Sequence, residues 1–142
     1  MMITKRDIHF MDHVLRPYTA STDKVSGARI GAIITIKNRV IAYGTNQKKT
    51  HPFQALHGKN ANAIYLHAEI DAIKNALREI DIDDFRRATL YVARLKNSTS
   101  DPRSPLIYGL AKPCKHGCAQ AIVKFGLKRA VYSLDGEGFE IL

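Results

Sequence analysis

The stretch "PCKHGCAQAIVKFGLKRAVYSL", Pro113 to Leu134, decides the fold. It holds both cysteines of the chain, separated by three residues. From there Cys118, Ala121, Ile122 and Phe125 share one helical face, and Gly126 can end the helix because it reaches left-handed backbone angles at little cost. "RAVYSL" then reads as a strand. A helix that opens at the cysteines and feeds a strand is half of a crossover unit, so this strand should lie parallel to one that precedes the helix.

Upstream, "ATLYVARL" from Ala88 supplies that earlier strand. The intervening "KNSTSDPRSPLIYG" is polar and contains proline, as loops that carry specificity often do. Before the strand, Leu66, Ile70, Ile73, Leu77 and Ile80 form one helical stripe. Still earlier, "ARIGAIITIKNRVIAYGTN" reads as two β-branched runs joined by a turn at Lys37, Asn38 and Arg39, hence a β-hairpin. "QKKTHPFQALHGKNANAIY" lacks either periodicity and is read as a loop. Thr4 can cap a first helix over about residues 5 to 16, with Asp7 in its first turn and Ile8, Met11 and Leu15 at helical spacing. "GFEIL" adds a short last strand. Helix, hairpin, helix, strand, helix, strand predicts an α/β chain with a mixed central sheet of about five strands and helices on its faces.

With 142 residues, 45% hydrophobic and 25% charged, one domain spanning residues 1–142 is the expectation. No run of about 18 apolar residues could span a bilayer, and "MMITKRDIHF" puts charges where a secretory signal needs an apolar core. A cytoplasmic location follows as an expectation. There, two cysteines bind metal or catalyse more often than they form a disulfide. The net charge of +9 makes anionic partners plausible without choosing among a free nucleotide, a nucleic acid and a solvated basic surface.

The chemistry lies in two segments. "LHAEIDAI" places His67 two residues before Glu69, and "PCKHGC" brings Cys114 and Cys118. A catalytic zinc takes three protein ligands and leaves the fourth position to water, and His67, Cys114 and Cys118 supply such a set. Two thiolates and a neutral imidazole balance the dication. Glu69, beside a water whose pKa zinc lowers towards about 7, can take a proton and return it to a leaving group. Each half has a plain alternative: a first-turn carboxylate that only answers the helix dipole, and buried thiols that act as small hydrophobes. Their joint order favours the zinc reading, since H-x-E followed by a proline-cysteine pair is the pattern of zinc nucleobase deaminases.

On these residues the sequence resembles the cytidine/deoxycytidylate deaminase superfamily over most of its length. "GAIITIKNRVIAYGTN" is similar to that family's first hairpin, "LHAEIDAI" to its metal helix, and "KPCKHGCAQAIVKFGLKRAVY" to its second metal helix and following strand. The resemblance implies a three-layer α/β/α cytidine deaminase-like fold and a zinc ion on His67, Cys114 and Cys118. It further implies Glu69 as proton shuttle, Asn46 against a sugar and the Ala68 backbone against a base. Asn46 is also read as an ordinary turn residue after a strand. The family usually sets two residues between its cysteines, whereas Lys115, His116 and Gly117 make three here; Cys118 is taken as the ligand, with His116 as the substitute.

The resemblance implies hydrolytic deamination. Lys48, Lys49 and His51, with His57 and Lys59, could meet a substrate phosphate or simply be a solvated loop face. Phe53, Tyr65 and Tyr108 could stack on a base, although core or lid positions are commoner for such aromatics. The short chain and basic loops favour a small-molecule nucleotide, deoxycytidylate ahead of cytidine or deoxycytidine. The alternatives are a nucleic-acid-editing deaminase of the tRNA adenosine type and a non-catalytic zinc-stabilised binding module. A homo-oligomer is implied by the resemblance, and no membrane partner is expected.

Overall fold

The computed structural model describes residues 2–15, 29–46, 67–101, 103–115 and 117–142. Helix α1 (Lys5–Leu15) is followed by β1 (Arg29–Ile36), β2 (Arg39–Thr45), α2 (Ala68–Ala76) and a 3-10 helix (Ile82–Arg87). Then come β3 (Ala88–Asn97), β4 (Leu106–Gly109), α3 (Cys118–Lys124), β5 (Arg129–Ser133) and β6 (Phe139–Ile141). The sheet runs β2-β1-β3-β5-β6, with β4 paired to the C-terminal half of β3. Among the described residues only β3 and β5 are parallel, as the crossover through α3 requires, and every other pairing is antiparallel.

Strand alternation sends successive residues to opposite faces, and here both faces are covered. Ile33, Tyr91, Ala93 and Val131 join Phe10, Met11 and Val14 of α1 in one apolar layer. Their neighbours Ala32, Ile34, Leu90, Val92, Ala130 and Tyr132 meet Ile70 and Ile73 of α2 and Cys118, Ala121 and Ile122 of α3 in the other. The three-layer α/β/α expectation is met. The sheet has six strands rather than about five, because β4 forms inside the segment read as a loop.

Three local readings are corrected. The buried stripe of α1 is Phe10, Met11 and Val14, while Ile8 is exposed. Its phase is set by Asp7, which is itself fully buried and three, four and seven residues ahead of that stripe. Asp7 accepts two hydrogen bonds from Arg129 (Nη1 to Oδ1 2.6 Å, Nη2 to Oδ2 2.9 Å) and one from Tyr91 Oη at 2.6 Å. The second stripe stops early: α2 ends at Ala76, Leu77 is exposed at its cap, and Leu66 lies outside the described residues. The chain then turns through the 3-10 helix, closed by a reciprocal Asp81–Asp84 capping box, and Phe85 packs edge-on against Phe125 with centroids 5.9 Å apart. Finally the hairpin turn is Lys37-Asn38 alone, since Arg39 already pairs with Ile36, and Lys37 takes a left-handed φ of 55°.

Candidate metal centre

His67 is the N-cap of α2 and its carbonyl accepts the Asp71 amide at 2.9 Å, which starts the helix. Three contacts fix this helix on β2. Thr45 N donates to Asp71 Oδ2 at 3.1 Å, Asn75 Nδ2 donates to the Tyr43 carbonyl at 2.8 Å, and the Gly44 backbone comes so close that an added Cβ would stand 2.4 Å from Ala68 O and from Ala72 N. These anchors were missed in the sequence. Their only trace there is the helical spacing of Asp71 and Asn75, which put two polar side chains on one face.

The cysteines arrive from the other side of the site. Ser133 Oγ donates to Gly109 O at 2.7 Å, Ala111 N donates to Ser133 O at 2.9 Å, and Leu110 N donates to Asp135 Oδ1 at 3.1 Å. The segment that leads to Cys114 is thereby clamped to the C-terminal end of β5. The third helix does not open at Cys114: a turn spans Cys114 to Gly117, in which Gly117 N and Ala119 N donate to the Cys114 carbonyl, and α3 begins at Cys118. His116 lies outside the described residues.

One ligand atom each from His67, Cys114 and Cys118 lies within 4.8 Å of the others. His67 Nδ1 stands 3.3 Å from Cys118 Sγ, and the Cys118 amide donates to Cys114 Sγ at 3.2 Å. Hydrogen bonds from Cys118 and His67 pull the Cys114 thiol down to about 4, so it is the thiolate of the pair. Donation to that thiolate, together with burial, pushes Cys118 upward, and the bond with Cys114 raises His67 against the effect of its burial. Soft donors, one ionised and one holding a displaceable proton, with an imidazole between them, match what zinc takes. The chemistry of the donor set fits the metal.

Glu69 sits in the first turn of α2, two residues past His67, and is 7% exposed. Burial raises its carboxyl above the ordinary carboxylate range, while its contact with Cys118 and the charge of His67 act in the opposite direction. A buried carboxyl next to the three donors is placed to take up a proton and give it back. Ala68 is fully buried, with its carbonyl against Gly44. Asn46 directly follows β2 and is also buried; its Oδ1 accepts from Ile30 N at 3.0 Å and its own amide donates to Ile30 O at 3.1 Å. That exchange makes it a clamp between the ends of β1 and β2. Tyr108 packs edge-on against Phe139 beside the α1 layer, in a core position. Lys48, Lys49, His51, Phe53, His57, Lys59 and Tyr65 lie outside the described residues.

Comparison with known proteins agrees with this geometry. The family model described as "Cytidine and deoxycytidylate deaminase zinc-binding region" matches residues 4–134. Among solved structures, the dCMP deaminase from the cyanophage S-TIM5 in apo form is 19% identical, with a TM-score of 0.59, over 94% of this chain and 86% of that one. The same enzyme in complex with dCMP and dUMP is 20% identical over 94% and 85%, again at 0.59. Acinetobacter baumannii RibD (form 2) is 22% identical at a TM-score of 0.52, and the likeness spans 92% of this chain but 28% of RibD. No curated protein matches the sequence.

Proposed function

The chain belongs to the cytidine and deoxycytidylate deaminase zinc-binding family, and from that premise we propose that it is a zinc-dependent hydrolytic deaminase of a free cytosine nucleotide, with deoxycytidylate as the preferred substrate. The observation that carries the reading is the buried Glu69 in the same helical turn as one metal donor and in contact with another. A structural zinc site closes with four protein ligands and has no use for such a carboxyl.

His67, Cys114 and Cys118 would hold the zinc, which when bound supplies the Lewis acid that makes water a nucleophile at neutral pH. Glu69 takes one proton from the attacking water on its carboxylate and gives it to the ring nitrogen N3; it then takes the proton of the new C4 hydroxyl and gives it to the departing amino group. One water is consumed, the C4–N bond breaks, a C4 carbonyl forms and ammonia leaves. The main-chain groups of Ala68 orient the base. Asn46, held by Ile30, contacts the sugar.

The substrate choice is supported by the likeness to a phage enzyme whose crystals hold dCMP and dUMP. The assignment of the phosphate to Lys48, Lys49 and His51 rests on their place in the sequence, two to five residues after Asn46. We place the protein in the cytoplasm as one domain of residues 1–142 that assembles as a homo-oligomer; no described helix is long and apolar enough to cross a membrane.

The test is a substrate panel: deoxycytidylate, cytidylate, deoxycytidine, cytidine, guanine, adenosine and single-stranded oligonucleotides, with products resolved by chromatography. Deoxycytidylate is expected to be converted well ahead of the rest, and Glu69→Gln should lower turnover by about 10²–10⁴-fold with zinc retained. Conversion of an oligonucleotide alone would overturn the free-nucleotide reading. Full activity in Glu69→Gln would overturn its role as proton carrier.

A further inference from the structure

A cavity of about 720 Å³ opens at the opposite end of the sheet from the metal donors. Its walls are the end of β1 (Thr35, Ile36), the start of β3 (Thr89, Tyr91), the start of β5 (Arg129) and the first turn of α1. The metal donors lie at the other end of the sheet, where Gly44 near the end of β2 meets Ala68 and Ser133 at the end of β5 meets Ala111.

The lining is strongly basic. Lys5, Arg6, Lys37 and Lys128 face the cavity, all four are exposed, and no carboxylate among the described residues lies within ion-pair distance of any of them. Arg86 and Arg87 stand on the rim, held to Asp83 and Asp84 of their own 3-10 helix. Among the described residues the single acid of the lining is Asp7, and it does not oppose an anion: Arg129 bridges both of its oxygens and Tyr91 donates to one. The amides of Lys5 and Arg6 belong to the first helical turn and have no intrahelical acceptor. Exposed ammonium and guanidinium groups beside the free amides of a helix N-terminus are what a phosphate is drawn to. The volume falls in the range of small-molecule sites, roughly 300–1,000 Å³.

We propose that this cavity binds a small ligand carrying two or more phosphate groups. The proposal is independent of the deaminase reading, since none of the described residues assigned to that reaction, His67, Ala68, Glu69, Asn46, Cys114 and Cys118, lines the cavity.

The probe is inorganic tripolyphosphate, titrated calorimetrically into the purified zinc-loaded full chain at physiological salt, where screening sets in beyond about 8 Å and only contact charges count. Saturable binding of one equivalent is expected, weakened at least tenfold in K5Q/R6Q/K37Q, with circular dichroism showing the variant folded. Lys128→Gln alone, at an exposed position, should weaken binding severalfold and serves if the triple variant does not fold. Glu69→Gln should bind tripolyphosphate as the natural chain does, and saturating deoxycytidylate should leave that binding in place. Non-saturating binding, affinity unchanged in both cavity variants, or displacement by deoxycytidylate would each overturn the proposal. So would an oligonucleotide that binds tighter than tripolyphosphate through the same residues, which would make the site a nucleic-acid backbone contact.

Discussion

Gly44 and Ala68 stand in such close contact that one methyl group on the glycine would sit 2.4 Å from the alanine carbonyl oxygen. Ala68 is the residue between His67 and Glu69, so the glycine sets how closely the helix that bears both can approach β2.

Gly44→Ala is therefore expected to push the N-terminal half of α2 off the strand. The neighbouring atoms are backbone and cannot yield by a rotamer change, so overpacking of about 1–3 kcal/mol is the minimum expected cost. Zinc content should fall together with stability; a variant with unchanged melting and unchanged zinc would refute the close approach.

Asp71 and Asn75 hold the same helix through hydrogen bonds to β2 backbone. Asp71→Ala leaves the half-buried amide of Thr45 without its acceptor and should cost about 1–3 kcal/mol, measured by urea unfolding. Asn75→Ala, at an exposed bond, should cost less, about 0.5–1.5 kcal/mol.

Removing the metal ligands separates the two thiols. Cys118→Ala is expected to abolish stoichiometric zinc, read by elemental analysis, and His116→Ala to leave it intact. The reverse pattern would assign the third ligand to His116. Chelation of the natural chain should lower its melting temperature, because a ligand at a thousandfold excess over its Kd contributes about 4 kcal/mol to the folded state.

Stability at low pH should follow Asp7. Burial alone would raise its carboxyl, but the bonds from Arg129, Tyr91 and Thr4 outweigh it and hold the group well below the ordinary value of 3.8. A depressed folded value means that its contribution is complete above about pH 4 and is lost as the pH falls further, towards the folded value. Asp7→Asn leaves the largely buried Arg129 without its counter-charge and should cost about 3–5 kcal/mol at pH 7. The gap from the natural chain should narrow below pH 4 in denaturant titrations. A constant gap across that range would refute the linkage.

Much of this architecture was legible in local pattern. The cap at Thr4, the β-branched hairpin and the crossover helix each carry their signal within a few residues, and H-x-E with the paired cysteines pointed to His67, Cys114 and Cys118, which the fold brings together. What escaped is what the chain borrows from distant parts of itself. β4 has polar, proline-rich neighbours in sequence and becomes a strand because the second half of β3 offers it an edge. The phase of α1 could not be set because a buried acid looks exposed until its arginine arrives from 122 positions away. Helix α3 starts late because Cys114 spends its carbonyl on a turn. In the site itself, Gly44, Asp71 and Asn75 act only through a strand and a helix that the sequence could not lay side by side.

The contacts that seat α2 have a second effect. The Tyr43 carbonyl and the Thr45 amide lie on the strand that ends the sheet, where unsatisfied backbone groups invite another chain to add on. Both are already taken, by Asn75 and Asp71. A foreign strand could dock there only by prising away the helix that bears Glu69, so the side chains that aim the chemistry also guard the protein against edge-to-edge aggregation.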